Sequence, residues 1–307
     1  MTSKKLITKG VFFIFSYVIV SAISNVFINH TTRSIDPIVT LFYSSIFTII
    51  FFSILNFGEL NKNLSLIKEN KKPILWLNIL NAIIWFVIFY SLKVLSPSVF
   101  SCLFLGAIPI SLFMIELRNS RTSKKNNFII AILLFSIFIL MLLLVYQDIN
   151  SENILLILKY GTLVTVVGSV VAAFIMKISK ELADKNLPAS LVVSLRFYGL
   201  LIISILIIIS NQSQLLIKST VLLELLILAL TSMAFPLFLL QKALKTLNPL
   251  YASIMITVIP ILTYLLQILT GYYTFSIVNF GITIAFSLLL IILTYQKRRD
   301  KTGYNKV

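Results

Sequence analysis

Asn78, Asn81 and Trp85 fall at i, i+3 and i+7 in an otherwise apolar stretch, a spacing that places all three on one face of a helix. An amide can donate and accept hydrogen bonds, and an indole adds a flat apolar wall with one N–H donor. Such a stripe can handle a polar ligand, or it can hydrogen-bond a neighbouring helix in a medium without water. Two other runs show similar patterns: Tyr17, Ser21, Ser24 and Asn25 near the N-terminus, and Ser253, Thr257, Pro260 and Tyr264 at i, i+4, i+7 and i+11. The candidate substrate contacts are Tyr17, Asn25, Asn81, Trp85, Ser101, Ser169, Thr257 and Tyr264. Serine and threonine hydroxyls also bond their own helix carbonyls, which competes with any ligand role. Gly161, Thr165, Gly168, Ser169, Ala172 and Ala173 are small residues three or four apart. That stripe suits close approach of two helices more than ligand binding.

Arg196 is the one basic residue inside an apolar run. Eight residues from the start of that run, it lies about 12 Å along a helix. A guanidinium there needs a partner, and the expectation is backbone carbonyls or Glu116. Pro109, Pro236 and Pro260 interrupt their runs as gating or structural elements, because proline removes a backbone hydrogen bond and frees a carbonyl. No acidic residue lies near the middle of a run, since Glu116 and Glu224 sit near ends; a carboxylate proton relay has no carrier. A single histidine, His30, shares a loop with Arg33 and Asp36, and a single cysteine, Cys102, sits in an apolar run. These residues supply neither a metal-ligand cluster nor an acid–base or nucleophilic set. The expectation is therefore no catalytic residues, no metal and no cofactor. An integral-membrane transferase, the enzyme alternative, lacks its usual gathering of His, Asp and Glu.

The elements that must carry these residues are membrane helices. The 307-residue chain is 59% hydrophobic and 12% charged, whereas soluble domains are about half apolar and about a quarter charged. About 20 helical residues cross the hydrocarbon core, which places spans at 10–29, 37–57, 73–93, 96–116, 127–146, 157–177, 188–210, 220–241, 246–268 and 274–295. Lys4, Lys5 and Lys9 precede the first run, which is too long for a signal-peptide core and is read as a retained span. The net charge of +16 sits in short loops, a distribution that fits a membrane protein and not a nucleic-acid partner. With a cytoplasmic N-terminus, 21 of the 26 lysines and arginines face inward, and only Arg33, Lys93, Lys159 and Lys218 face outward. Both termini are then cytoplasmic in a multi-pass plasma-membrane protein, the inner membrane of a bacterium.

The chain also repeats itself. Leu92-Lys93-Val94-Leu95-Ser96-Pro97 returns as Leu244-Lys245-Thr246-Leu247-Asn248-Pro249, and Asn127-Phe128-Ile129-Ile130 as Asn279-Phe280-Gly281-Ile282, both about 152 residues later. Pro109 and Pro260 correspond within one residue. The predicted fold is an all-α membrane protein of ten transmembrane helices, arranged as two five-helix repeats over 1–149 and 150–307. Five is odd, so the second repeat enters the membrane from the opposite side: an inverted repeat, the arrangement from which many transporters obtain two alternating conformations.

On these motifs the chain resembles the drug/metabolite transporter superfamily, in its ten-helix EamA-like branch, over nearly its whole length. Ser24-Asn25-Val26-Phe27 resembles the family's segment near the end of its first helix. Leu92-Lys93 and Pro97-Ser98, followed by Ala107-Ile108-Pro109, resemble its helix 3–4 hairpin and mid-helix proline, a pattern repeated by Leu244-Lys245, Pro249 and Pro260. Pro188 with Arg196, and Glu116, also resemble family positions. Ser45 stands where Arg196 would have its counterpart, and no glutamate in the second half matches Glu116. The resemblance implies an inner-membrane carrier that moves a small organic metabolite by alternating access, with efflux of an amino acid or related compound the first expectation. Uptake or exchange of another metabolite is the alternative. The implied partners are a small-molecule substrate and membrane lipid, with the carrier a monomer or a homodimer.

Overall fold

A computed structural model describes residues 3–117, 161–211 and 218–304, together with scattered positions between 133 and 146. The described residues form helices and no strand. The main elements are α1 (Ser3–Ser34), α2 (Pro37–Leu55), α3 (Lys71–Val94), α4 (Pro97–Leu117), α5 (Leu163–Asp184), α6 (Ala189–Asn211), α7 (Ser219–Leu244), α8 (Pro249–Leu269) and α9 (Ile277–Tyr304). Two short helices, Glu59–Lys62 and Leu64–Glu69, fill the α2–α3 connection. Seven helices (α1, α2, α3, α5, α6, α7 and α8) are long and apolar enough to cross a membrane, and the apolar parts of α4 and α9 are shorter, Pro97–Leu112 and Ile277–Ile292. The span expected at 127–146 lies for the most part outside the described residues, as does the first Asn127 repeat motif.

The distribution of side chains is the reverse of a water-soluble domain. On α1, Phe12, Phe15, Ile19 and Ile23 are exposed, while Ser21, Ser24, Asn25 and Asn29 on the opposite side are buried. On α2, Ser44, Ser45 and Thr48 are buried while Ile50 and Ile54 are exposed. Apolar faces outward and polar faces inward are stable only where the surroundings are lipid. The chain is a multi-pass helical membrane protein.

The repeated Pro motif marks helix starts. The Asn248 side chain accepts a hydrogen bond from the Leu250 amide at 2.9 Å, with Pro249 in the first turn of α8. Asp36 does the same for Ile38 at 2.8 Å, with Pro37 opening α2. An oxygen-bearing cap followed by proline satisfies one orphan amide and spends the missing one where no partner exists. Pro97 likewise opens α4 directly after the α3 turn.

Around these caps the helices pack in an interleaved order. α1 lies against α7 and α8, while α5 lies against α3 and α4. α2 packs on α6 and on α7, α3 packs on α6, and α4 packs on α8. The small-residue stripe of α5 meets its neighbours closely: a Cβ on Gly168 would stand 2.5 Å from Val87 Cγ1, and Thr165 donates to the Ser91 hydroxyl at 2.7 Å. Close helix approach is thus the role the structure gives that stripe.

Candidate functional site

Three helices lose their regular hydrogen bonding near the middle of the bundle. α6 breaks at Leu195–Phe197, between helical segments Ala189–Ser194 and Tyr198–Asn211. No proline or glycine lies within the break; it is held open from α3. Asn78 donates to the Leu195 carbonyl at 2.5 Å and accepts from the Gly199 amide at 3.0 Å, and Asn81 donates to the Arg196 carbonyl at 3.0 Å. The two amides replace hydrogen bonds that the helix gives up, which a broken helix in lipid requires. Gly199 permits the contact, because a Cβ there would stand 3.2 Å from the Asn78 carbonyl oxygen.

α7 passes through a π-helical turn, Ala229–Ala234, just before Pro236. α8 breaks at Thr257–Val258, just before Pro260. The sequence expected Pro109 to interrupt its helix too, but α4 is helical through that residue. Each proline lacks the amide that would have bonded the carbonyl four residues earlier. Those residues are Leu105, Ser232 and Ile256, and all three line one internal cavity.

The cavity has a volume of about 100 Å³ and is bounded by α1, α3, α4, α5, α6, α7 and α8. Its walls are mostly apolar, from Phe100, Phe104 and Ile108 of α4, Ile175 and Met176 of α5, and Leu237 and Leu240 of α7. Its polar contributions are Tyr17, Ser21, Ser24, Asn25, Asn81, Trp85, Arg196 and Ser232. Mostly apolar walls with a few convergent polar groups are the usual composition of a small-molecule site. Trp85 is braced by Phe89 and Phe197, with ring centroids 5.9 Å and 6.3 Å away. Asn25 is held by donating to the Ser101 hydroxyl at 3.0 Å, and Ser101 donates to the Pro97 carbonyl at 2.6 Å.

Arg196 is among the most deeply buried large side chains of the molecule, 2% exposed. Carbonyls and Glu116 were its expected partners. Among the described residues its side chain makes no ion pair and no hydrogen bond, and its Nε has no partner; the Glu116 side chain lies outside them. Helix α6 delivers the side chain into the cavity, and the Tyr17 phenol is close enough to interact with its charge. Trp85 Nε1 and Ser232 Oγ are likewise buried without a partner among the described residues. Buried polar atoms are nearly always hydrogen-bonded, so three unmet atoms around one cavity mark it as the place where a ligand or water belongs.

Of the eight sequence-nominated contacts, Tyr17, Asn25, Asn81 and Trp85 line the cavity. Ser101 stands behind Asn25. Ser169 and Thr257 do not line it; their hydroxyls bond the carbonyls of Val166 and Ile254 in their own helices, at 2.5 Å and 2.6 Å. Tyr264 is also elsewhere: its hydroxyl donates to the Ser276 carbonyl and accepts from the Ser276 amide, both at 2.8 Å, closing the α8–α9 turn. Arg196 and Pro236, nominated only as gating or structural residues, are cavity walls, whereas Pro109 and Pro260 are not. Ser232 was not nominated, although its place four residues before Pro236 in an apolar run was the available signal.

At one end of the bundle a second polar cluster ties α1 to the α8–α9 turn. Arg33 donates to the Tyr273 hydroxyl at 2.7 Å and lies over the Tyr272 ring, 4.9 Å from its centroid. Tyr273 donates to Asn29 Oδ1 at 3.1 Å, and Asn29 donates to the Leu92 carbonyl at 2.6 Å. Thr31 donates to Glu224 of α7 at 2.8 Å. His30, which the sequence placed in a loop, is an exposed residue of α1 with its ring 5.9 Å from that of Tyr272.

No family model matches the chain, and no curated protein matches it significantly. A solved structure titled "Crystal structure of protein" superposes with a TM-score of 0.68 at 14% identity, covering 95% of this chain and 99% of its own. The likeness spans the whole architecture and establishes a shared fold, with no bearing on the activity of either protein.

Proposed function

We propose that the protein is a carrier that moves a small organic metabolite across the membrane by alternating access around the central cavity, as the resemblance to drug/metabolite transporters implies. The observation that carries this is the meeting of three irregular helices, α6, α7 and α8, at one polar-and-apolar cavity. Discontinuous helices at mid-membrane are how transporters expose backbone and side-chain groups to a substrate.

The packing order supports the inverted repeat. Exchanging α1, α2, α3 and α4 with α5, α6, α7 and α8 turns each main contact into another that is also present: α1 on α7 becomes α5 on α3, and α1 on α8 becomes α5 on α4. The contacts α2 on α6 and α4 on α8 map onto themselves. Together with the span expected at 127–146 this gives ten helices in two halves, 1–149 and 150–307. The loop charges then put both termini in the cytoplasm of a plasma membrane. Amino acids and related compounds are the first substrates to try, by efflux first and by uptake or exchange as the alternative. The test is flux through purified protein in proteoliposomes loaded with a metabolite mixture. Substrate-specific counterflow above empty liposomes supports the carrier, and its absence for every metabolite sinks it.

A further inference from the structure

We infer that the substrate is a carboxylate with an apolar body, and that its carboxylate binds the Arg196 guanidinium beside the Trp85 indole N–H. The inference rests on the carrier reading only in placing the ligand in transit; the binding site itself stands on the cavity.

Arg196 is 2% exposed, faces the cavity, and has neither an ion pair nor a side-chain hydrogen bond among the described residues. An isolated buried cation is expensive to maintain and is retained where something anionic arrives to pair with it. Among the described residues no Asp or Glu lines the cavity, so an anion entering the cavity would meet an unpaired guanidinium there. The guanidinium is a planar fork of N–H donors matched to the two oxygens of a carboxylate. Trp85 Nε1 is a second unmet donor among the residues lining the same cavity, and the Ser232 hydroxyl a third unmet group. Phe100, Phe104 and Ile108 of the lining offer only apolar surface, which accommodates a hydrocarbon body and gives nothing to a second charge. The neutral oxygens of Ser24 and Asn25 do not offset an ammonium as a carboxylate would. A plain acid should therefore bind more tightly than the α-amino acid of the same body, and the amine should be rejected by the guanidinium.

Three probes of one body separate these cases: 3-phenylpropanoate, L-phenylalanine and 2-phenylethylamine. The chain has two tryptophans, and Trp76 is 56% exposed and away from the cavity lining, so W76F leaves Trp85 as a reporter inside the site. The full-length W76F protein in nanodiscs is titrated with each probe at millimolar concentration while Trp85 emission and thermal stability are followed. The expected order of affinity is acid above amino acid above amine, with the acid at least about tenfold tighter than the amine. R196M is expected to abolish the acid response. R196K, which keeps the charge and loses the fork, is expected to weaken it several-fold, and it decides the matter if R196M does not fold. Equal or tighter binding of the amine or the amino acid, an acid response unchanged in R196K, or no response to the acid overturns the inference. Flux of the same probes separates the two proposals: Arg196-dependent binding without flux removes the carrier and leaves this site, while flux of the amine without acid binding does the reverse.

Discussion

Arg196, Asn78 and Asn81 work as one unit at the scale of single residues. The two asparagines hold the carbonyls of Leu195 and Arg196, so they fix the backbone from which the guanidinium projects. Asn81→Leu leaves the Arg196 carbonyl without its donor and should lower stability by about 1–3 kcal/mol, read as a fall in Tm in detergent. A Tm equal to that of the unsubstituted protein would show that the amide does not hold the break. A different residue tests packing. Gly168→Ala places a methyl 2.5 Å from Val87 Cγ1 and should destabilise by about 1–3 kcal/mol. Gly281→Ala, inside α9 with nothing within 4 Å, should leave Tm unchanged or slightly raised. Sequence periodicity put Asn78, Asn81 and Trp85 on one face correctly. It did not reveal that Asn78 spends its amide on a helix break, because periodicity reports a direction and not the neighbour in that direction. Arg196 was visible as an anomaly within a span. That it has no side-chain partner among the described residues was not visible, since a partner is a fact of tertiary packing.

Helices were legible at the element scale wherever length and hydrophobicity decide them, as for α2, α3 and α8. Their irregularities were legible only in part. Pro236 and Pro260 announced the π-turn of α7 and the break of α8 because proline acts on its own helix. The break in α6 has no local cause in the chain; it depends on α3, so no window of sequence contains it. Pro236→Ala should restore the donor to the Ser232 carbonyl and regularise α7, raising Tm while slowing flux at least several-fold. Flux unchanged by that substitution would show that the irregular turn has no part in the transport cycle. The cluster of Arg33, Tyr272, Tyr273 and Asn29 binds α1 to the α8–α9 turn, and a cation over an aromatic face contributes about 0.5–1 kcal/mol at exposed sites. Tyr273→Phe removes the hydrogen bonds that this hydroxyl makes with Arg33 and Asn29. It should raise labelling of a cavity cysteine from the Arg33 end of the bundle, and no change in labelling would mean that this cluster does not close the site.

Viewed whole, the molecule places polar side chains inward, apolar ones outward, and a cavity of about 100 Å³ where interrupted helices meet. Composition sufficed for the first two features, because only lipid tolerates them. The cavity was half legible: Tyr17, Asn25, Asn81 and Trp85 were found by their spacing, while Ser169 and Thr257 turned back onto their own carbonyls, as short hydroxyls often do in helices. Exchanging α1–α4 with α5–α8 preserves the packing order, and the proposed alternating-access cycle would draw on that symmetry. The polar groups do not share that symmetry, since the position corresponding to Arg196 in the first half is Ser45. One measurement tests the proposed transport cycle most directly. Cysteine is placed in the cavity by Ser24→Cys in a C102A background and labelled by a membrane-impermeant thiol reagent applied to either side of oriented proteoliposomes. An alternating-access carrier should be labelled from both sides, with the ratio shifted by bound substrate and the total reduced. Labelling from neither side, or from one side only with no response to any substrate, would contradict it.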